Sequence, residues 1–265
     1  MGKLLAKDGL HMGAVGLSGF VGGALGWQGL VFELPVTTTL IMRSLLDIAR
    51  EQGEELSTDS GVVEDCLFIF YHGSQTTKSD DETETGYFAS RLVLAESLSR
   101  EGATHFARLL AQVAARFSIP ISQKTALQLV PVVGGLSGAS LNLLFIKHFQ
   151  TIGRAHFTIK RLEKKYGEAL VKRTSLNPKK SLKPKSDEKT ALKSFKEMSR
   201  ADLKSLKTAI EDLNSPSFLS KALALLGRPV EASAKKLPKK LSDFISSVVN
   251  ESLSLAVKIA LKTVK

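Results

Sequence analysis

Three charged residues, Glu33, Arg43 and Asp47, are the first candidates for chemistry, because the sequence before and between them is almost free of charge. Glu33 is the only charged residue between Asp8 and Arg43. An isolated carboxylate must be paired, lie at a helix end or have a raised pKa. Pro35 suits the first turn of a helix, where the helix dipole stabilises a carboxylate. We therefore expect a structural role for Glu33, and contact with an ion or ligand is the alternative.

Arg43 and Asp47 are four residues apart, so they can form an ion pair along one helix face. They can also join Glu33 in a buried polar cluster, which we expect to be structural rather than catalytic. The sequence contains no nucleophile elbow, phosphate-binding loop or other catalytic motif. The prediction is therefore a protein without catalytic residues, with a hydrolase as an alternative.

The histidines and the single cysteine form no recognisable metal or redox motif. His148 and His156 are eight residues apart and share a helix face, but neither has a further metal ligand four residues away. Cys66 lies in the apolar run DCLFIFY, which indicates a buried structural thiol. One cysteine cannot form a disulfide within the chain, as is typical of a reducing, cytoplasmic setting. We predict no metal and no cofactor.

Two uncharged, glycine-rich segments, residues 9–32 and 125–146, are the most unusual feature of the sequence. Small residues four apart form a smooth stripe on a helix, and this stripe lets another backbone approach closely. The predicted helix-packing residues are Gly19, Gly23, Gly26, Gly134 and Gly138. Each segment is also long enough to be a candidate for crossing a membrane. Close packing within a protein core is the other interpretation.

Apolar residues at helical spacing predict helices throughout the chain, and no partner strands are evident. Pro35 should begin the first clear helix, Ser57 or Asp59 should cap the second, and Pro120 should break the chain after the fourth. The predicted helices cover residues 35–50, 61–72, 87–101, 103–118, a continuation of the second glycine-rich segment to about 167, 199–213, 216–227 and 238–264. The expected fold is all-α, a compact multi-helix domain with two central glycine-rich helices.

Positive charge is concentrated in the last third of the chain. Residues 1–170 contain 16 basic and 17 acidic residues, whereas residues 171–265 contain 21 basic and 9 acidic residues. The Lys-, Ser- and Pro-rich stretch 171–197 is typical of a disordered linker. We therefore divide the chain into a glycine-rich helical core (1–170), this basic linker, and a helical segment (198–265) that packs back on the core.

Four lysines of the linker are predicted to contact an anionic membrane surface: Lys179, Lys180, Lys183 and Lys185. Each basic residue near a charged leaflet contributes about 1 kcal/mol to binding. Aromatic residues make up only 6% of the chain, too few to indicate stacking platforms for single-stranded nucleic acid. We therefore expect no nucleic-acid partner. The oligomeric state is not predicted.

Two long runs of this sequence resemble the EcsC family of bacterial proteins. They are ELPVTTTLIMRSLLDIAR at 33–50 and SQKTALQLVPVVGGLSGASLNLLFIKHFQTIGRAHFTIKRLEKKYG at 122–167. The resemblance covers most of residues 1–170. The family is linked by its name to an operon that encodes an ABC-type transporter, and its biochemical role is not established. The resemblance therefore implies a role accessory to a transport system.

The order of the segments departs from the family pattern. A segment similar to residues 215–264 usually precedes the glycine-rich segment near residue 10, whereas here it follows the basic linker. Met198 also resembles the start of an ordinary family member. The resemblance thus implies a circular permutation, or a fragment that joins the end of one copy to the start of another. A permutation predicts that Lys265 and Met1 lie close together.

These observations predict a helical protein that associates peripherally with the inner face of the cell membrane. Its partner would be the anionic lipid surface or a membrane protein. A soluble helical scaffold is the main alternative, because a core made of closely packed glycine-rich helices would show the same composition. The hydrolase is a weaker alternative, because it has no motif to support it.

Overall fold

The computed structural model describes residues 30–57, 61–74, 87–92, 103–128, 136–176, 198–226 and 238–264. These residues form α-helices and contain no strand, which confirms the all-α prediction. The helices are α1 (Leu30–Glu51), α2 (Val62–Gly73), α3 (residues 87–92), α4 (Ala103–Gln128), α5 (Leu136–Tyr166), α6 (Glu168–Leu176), α7 (Arg200–Leu213), α8 (Phe218–Leu226) and α9 (Lys239–Thr263).

Helix α5 lies at the centre of the packing. Its 31 residues extend for about 46 Å, and it contacts α1, α2, α4, α6, α7 and α8. Phe145 and Phe149 project from it with ring centroids 5.1 Å apart. Phe70 of α2, Phe117 of α4 and Phe218 of α8 pack against this pair. Four helices thus meet at one aromatic cluster.

Two buried glycines allow unusually close contacts with α5. A Cβ atom on Gly153 would lie 2.5 Å from the Leu45 Cδ2 atom of α1, and one on Gly73 would lie 2.7 Å from the Phe149 ring. Real Cβ atoms essentially never come so close to another heavy atom. A side chain at either position would therefore force a neighbouring core side chain to move, at the crossing of α1 and α5 and at the end of α2. Neither glycine is among those predicted from the sequence.

Two prolines lie inside helices rather than at their ends, so both predictions about them are wrong. Helix α1 begins at Leu30 and includes Pro35 in its second turn, and α4 runs through Pro120 to Gln128. Each proline removes one backbone hydrogen bond. Pro120 is buried, and its neighbours Phe117 and Ile121 are fully packed in the core. The packing of Phe117 and Ile121 on either side of Pro120 outweighs the local cost there.

Two predicted boundaries also change. Helix α2 starts after Gly61, which has a left-handed φ of 69° and makes no side-chain cap. Ser57 is therefore not the N-cap residue of this helix, and Asp59 lies outside the described residues. The predicted linker begins too early, because residues 171–176 belong to α6 and Val171 is fully buried. Residues 177–197, with Lys179, Lys180, Lys183 and Lys185, lie outside the described part of the chain.

The helices after residue 198 share the core of the earlier ones. Met198, Leu206 and Leu253 belong to the same buried apolar cluster as the residues of α1, α2 and α5. Helix α9 packs along α1 and α4, and α7 packs along α5. The predicted helices at 199–213, 216–227 and 238–264 are confirmed within one or two residues at each end.

Helix α9 is amphipathic in the way its sequence predicts. Its buried face carries Ile245, Val248, Val249, Leu253 and Ala256, while Ser246, Asn250, Lys258 and Lys262 are exposed. Among the described helices, it alone has the length and apolar composition needed to cross a membrane, and a little under half of its most apolar stretch is buried in the protein. A helix that packs in the core, as this one does against α1 and α4, can have the same composition as a membrane span.

Several predictions fall on residues outside the described ranges. Gly19, Gly23, Gly26 and Gly134 are among them, so the two central glycine-rich helices stay a prediction. Gly138 belongs to α5. Met1 and Lys265, whose proximity a circular permutation requires, also lie outside.

Candidate functional site

Glu33 lies in the first turn of α1, as predicted, and forms an ion pair with Lys124 of α4. The side chains of Glu33 and Lys124 are 2% and 1% exposed. The Lys124 ammonium also lies 5.8 Å from the centre of the Phe145 ring, within the range of a cation–π contact. The pair joins two helices through charges that are both removed from water. Lys124 is therefore the partner that the isolated Glu33 carboxylate requires.

The structure does not bring Arg43 and Asp47 to this pair. On the continuous helix α1, Asp47 is fourteen positions after Glu33, which corresponds to a distance of about 21 Å along the helix axis at 1.5 Å per residue. Arg43 is exposed, and Asp47 accepts a hydrogen bond from Arg50 at 2.9 Å. These residues therefore lie on the surface of α1, whereas Glu33 lies in the interior.

Beside the buried pair, the first two turns of α1 present apolar side chains to solvent. Phe32 is 74% exposed, Val36 47% and Val31 43%. Phe32 and Val36 are four residues apart, so they lie on one face of the helix. We call these three residues the apolar end of α1. They directly follow, and partly belong to, the uncharged stretch 9–32.

A second polar group, not predicted from the sequence, lies around the C-terminal half of α5. The His156 Nε2 atom is 3.1 Å from Asp65 Oδ1, and its Nδ1 atom is 2.9 Å from the Tyr87 hydroxyl. Because the carboxylate can only accept, Nε2 donates to Asp65, and in the neutral imidazole Nδ1 accepts from Tyr87. His156 and Tyr87 are each 1% exposed. The chain of hydrogen bonds links α2, α5 and α3.

Lysine side chains extend this network towards the surface. Lys160 forms ion pairs with Asp65 and with Glu54, and Lys164 also reaches Glu54 at 2.9 Å. Burial alone would raise the pKa of Asp65, but the hydrogen bond from His156 and the ion pair with Lys160 together outweigh it and lower that pKa. Burial opposes charge on Lys160, yet Asp65 and Glu54 raise its pKa. Both partners are therefore held in their charged forms.

Arg91 and Glu163 close the network on its α3 side. One Arg91 nitrogen donates to both carboxylate oxygens of Glu163, at 2.8 and 3.0 Å. The guanidinium also lies 5.8 Å from the centre of the Tyr87 ring. Burial raises the pKa of the Tyr87 hydroxyl well above its usual value, so this phenol stays protonated. The group therefore resembles a proton relay in composition, but its central members are enclosed and satisfied, which favours a structural role.

The remaining candidate residues are also engaged in packing. Cys66 is fully buried, as predicted, and burial raises the pKa of its thiol, with Asp65 adding to the effect; such a thiol is a poor nucleophile. His148 Nε2 lies 2.8 Å from the Gly73 carbonyl, and His72 stacks on Phe68. Within the described part of the chain, no group of three metal-ligating side chains converges.

Sequence reasoning missed this network because Tyr87 and Asp65 are 69 and 91 residues from His156. One signal was available. His156, Lys160 and Glu163 recur at helical spacing along α5, which marks a polar stripe on a helix otherwise rich in buried apolar residues. The stripe indicates that polar partners face it, but it does not identify them.

The comparison with known proteins agrees with the resemblance noted in the sequence. The sequence model of the EcsC protein family matches residues 5–162, more than half of the chain. It includes both the Glu33–Lys124 pair and the Asp65–His156–Tyr87 network. No curated protein and no solved structure matches this chain. The chain is thus a member of the EcsC protein family.

Proposed function

We propose that this EcsC-family protein associates peripherally with an anionic membrane surface, at the cytoplasmic face, and that the apolar end of α1 inserts between the headgroups. The observation that carries the proposal is the exposure of Phe32, Val36 and Val31 on adjacent turns. Burying a phenylalanine or valine side chain contributes about 1.5–3 kcal/mol. One such group holds a protein at a surface only weakly, so a second attraction is needed.

Basic residues supply the second attraction. Helix α9 packs along α1, and its solvent side exposes Lys239, Lys240, Lys258 and Lys262. The four linker lysines predicted to bind lipid, Lys179, Lys180, Lys183 and Lys185, would add to this charge. At about 1 kcal/mol for each lysine near an anionic leaflet, a few lysines together with the apolar end of α1 are enough for reversible binding.

The buried ion pair has a place in this proposal. Glu33 directly follows Phe32 in the chain, and its charge is satisfied inside the protein by Lys124. The carboxylate is therefore not presented to the anionic surface beside the exposed apolar groups. A role accessory to a transport system would follow if a membrane protein provided the docking site, as the family name suggests.

A soluble scaffold is the second candidate function, and the packing of α9 favours it. The helix with the composition of a membrane span covers α1 and α4 instead. In that case the apolar end of α1 would contact another protein rather than lipid. The two candidates differ in whether vesicles alone recruit the chain.

Flotation with vesicles separates them. The full chain should float with vesicles that contain phosphatidylglycerol at low salt, less at high salt because the Debye length shrinks to about 3 Å near 1 M, and not with phosphatidylcholine vesicles. The double variant F32S/V36S should lower the vesicle partition coefficient about tenfold or more. The control L92S changes another exposed apolar residue, 68% exposed and on α3, and should float like the wild type.

Both variants change exposed positions, so their melting temperatures should match that of the wild type. Absence of flotation with anionic vesicles at every salt concentration would eliminate the membrane proposal and leave the scaffold. Equal loss of flotation in L92S and F32S/V36S would show that the apolar end of α1 is not the contact.

A further inference from the structure

A groove with a volume of about 360 Å³ lies between α5 and α7. Its α5 wall carries Arg154, Thr158 and Arg161, which recur at intervals of about one turn. Its α7 wall carries Lys204, Ser205, Thr208 and Asp212 at the same kind of interval, and Gln52, just after α1, lines it as well. This volume is within the range of about 300–1,000 Å³ typical of small-molecule sites.

Most of the side chains that line the groove are polar. Among the described residues, Ala155 and Ala209 are the apolar members of the lining, and both have small side chains. The walls otherwise offer guanidinium, ammonium, hydroxyl, amide and carboxylate groups. These groups favour a small charged ligand that accepts several hydrogen bonds.

Among the described residues that line the groove, three are basic (Arg154, Arg161 and Lys204) and one is acidic, Asp212. The Asp202 carboxylate, which does not line the groove, offsets part of the Arg161 charge. Arg161 is held in place from two sides. Its Nε atom donates to the Gln52 side-chain oxygen at 3.1 Å, and its Nη1 atom lies 3.8 Å from Asp202 Oδ1. A guanidinium has five N–H donors in a fixed planar fork, so these contacts orient the group without using all its donors.

Partial burial makes the positive charge of Arg154 costly. Burial lowers the pKa of Arg154, although Asp212 acts in the opposite direction. Burial also raises the pKa of Asp212, so this carboxylate is itself held closer to neutrality. An anion between the walls would stabilise the charged form of Arg154.

We propose that the groove binds a phosphate group, as inorganic phosphate, as a soluble phosphate monoester or as the phosphate of an anionic lipid. Arginine recognises phosphate by paired hydrogen bonds from its planar fork, and lysine adds a compact charge. Thr158 and Thr208 provide hydroxyl groups on the same walls, whereas the Ser205 hydroxyl donates to the Ala201 carbonyl. This site is separate from the apolar end of α1 and does not depend on membrane association.

Isothermal titration calorimetry on the full chain tests the proposal with three probes: inorganic phosphate, glycerol 3-phosphate and dihexanoyl phosphatidic acid below its micelle concentration. Chloride replaces phosphate at matched ionic strength as the blank. The variant R154Q/K204Q should weaken binding of every probe that binds the wild type by at least tenfold. The control R43Q/K207Q removes one arginine and one lysine charge from exposed positions outside the groove, and should change affinity less than twofold.

The relative affinities of the probes identify the source of the phosphate. Tighter binding of phosphatidic acid than of glycerol 3-phosphate supports a lipid phosphate, and equal or weaker binding supports a soluble one. No binding of any probe to the wild type overturns the proposal. Equal weakening in R154Q/K204Q and R43Q/K207Q overturns it as well, because it would reflect net charge rather than a site. The F32S/V36S variant should bind all three probes like the wild type.

Discussion

Glu33 of α1 and Lys124 of α4 are 91 residues apart in the chain, yet their charged groups meet where neither side chain is more than 2% exposed. Removing two charges from water costs several kcal/mol for each ion, and their mutual attraction only roughly compensates. The pair therefore adds little net stability, but the loss of one partner leaves the other charge buried and unpaired. This asymmetry gives the pair a clear mutational signature.

We expect Lys124→Met to lower the free energy of unfolding by about 3–5 kcal/mol, because Glu33 is then buried without a partner. The double variant Glu33→Gln with Lys124→Met should recover more than half of this loss. Urea denaturation followed by circular dichroism measures both. If the double variant is as unstable as the single one, the loss comes from packing of the lysine stem and not from the unpaired carboxylate.

Gly153→Ala should destabilise the protein by about 1–3 kcal/mol, because the new methyl group would lie 2.5 Å from Leu45 Cδ2 in a tightly packed core. The same substitution in a Leu45→Ala background should be stabilising by up to about 1 kcal/mol, since the clash is gone and alanine favours helix over glycine. Thermal denaturation of the four proteins in this cycle tests the change of sign. A cost of equal size in both backgrounds would contradict the proposed contact.

Tyr87→Phe should lower the free energy of unfolding by about 1–2 kcal/mol. The substitution keeps the ring, which packs on Phe68 and Phe88, but removes the donor to His156 Nδ1 and leaves a buried acceptor unsatisfied. Tyr71→Phe is a suitable control, because Tyr71 is only partly buried and its ring contact with Arg116 needs no hydroxyl. An effect of the same size in the control would show that the hydrogen bond to His156 contributes nothing particular.

Acid should reduce stability between about pH 4 and pH 2, and Asp202 should account for part of the loss. Hydrogen bonds from Lys165 and Tyr166 lower the pKa of Asp202 from 3.8 to about 2. The unfolded chain then takes up a proton at higher pH than the folded one, so the stabilisation is present above about pH 4 and disappears as the pH falls towards 2. Asp202→Asn should lower stability at pH 6 but flatten its dependence on pH over this interval.

For Asp212 we expect the opposite dependence of stability on pH. Burial raises its pKa, so its charged form opposes folding near neutral pH and the cost disappears as the group is protonated. Asp212→Asn should therefore raise stability slightly at pH 6 and have no effect at low pH. Denaturant titrations of both variants at pH 6, 4, 3 and 2.5 test the pair of predictions. Parallel pH profiles for the two variants would show that neither carboxylate acts as described.

Local periodicity was enough to predict most of the helices in the described part of the chain. Helix α9 begins and ends within a residue of its prediction, and its buried and exposed faces follow the sequence pattern. The reason is physical: a helix buries residues three or four apart on one face, so an apolar stripe records which side meets the core. The burial of Cys66 within an apolar run follows from the same pattern.

Local rules failed at Pro35 and Pro120, where the sequence predicts helix boundaries but the helices continue. The cost of a proline inside a helix is about 3 kcal/mol, and at Pro120 the buried contacts of Phe117 and Ile121 outweigh it. Such contacts come from other helices, which the local sequence does not contain. The steric need for Gly153 has the same origin, since it depends on Leu45 of another helix.

By itself, the sequence determined that the chain is all-α, which faces of its helices are apolar, and that Glu33 required a partner. Only the tertiary structure decided that this partner is Lys124, that His156 joins Asp65 to Tyr87, and that Arg154 and Lys204 face one groove. Helical periodicity determines the side on which a residue lies, but the offset and crossing of two helices depend on packing along their whole lengths. Contacts between residues distant in sequence are therefore a property of the assembled fold.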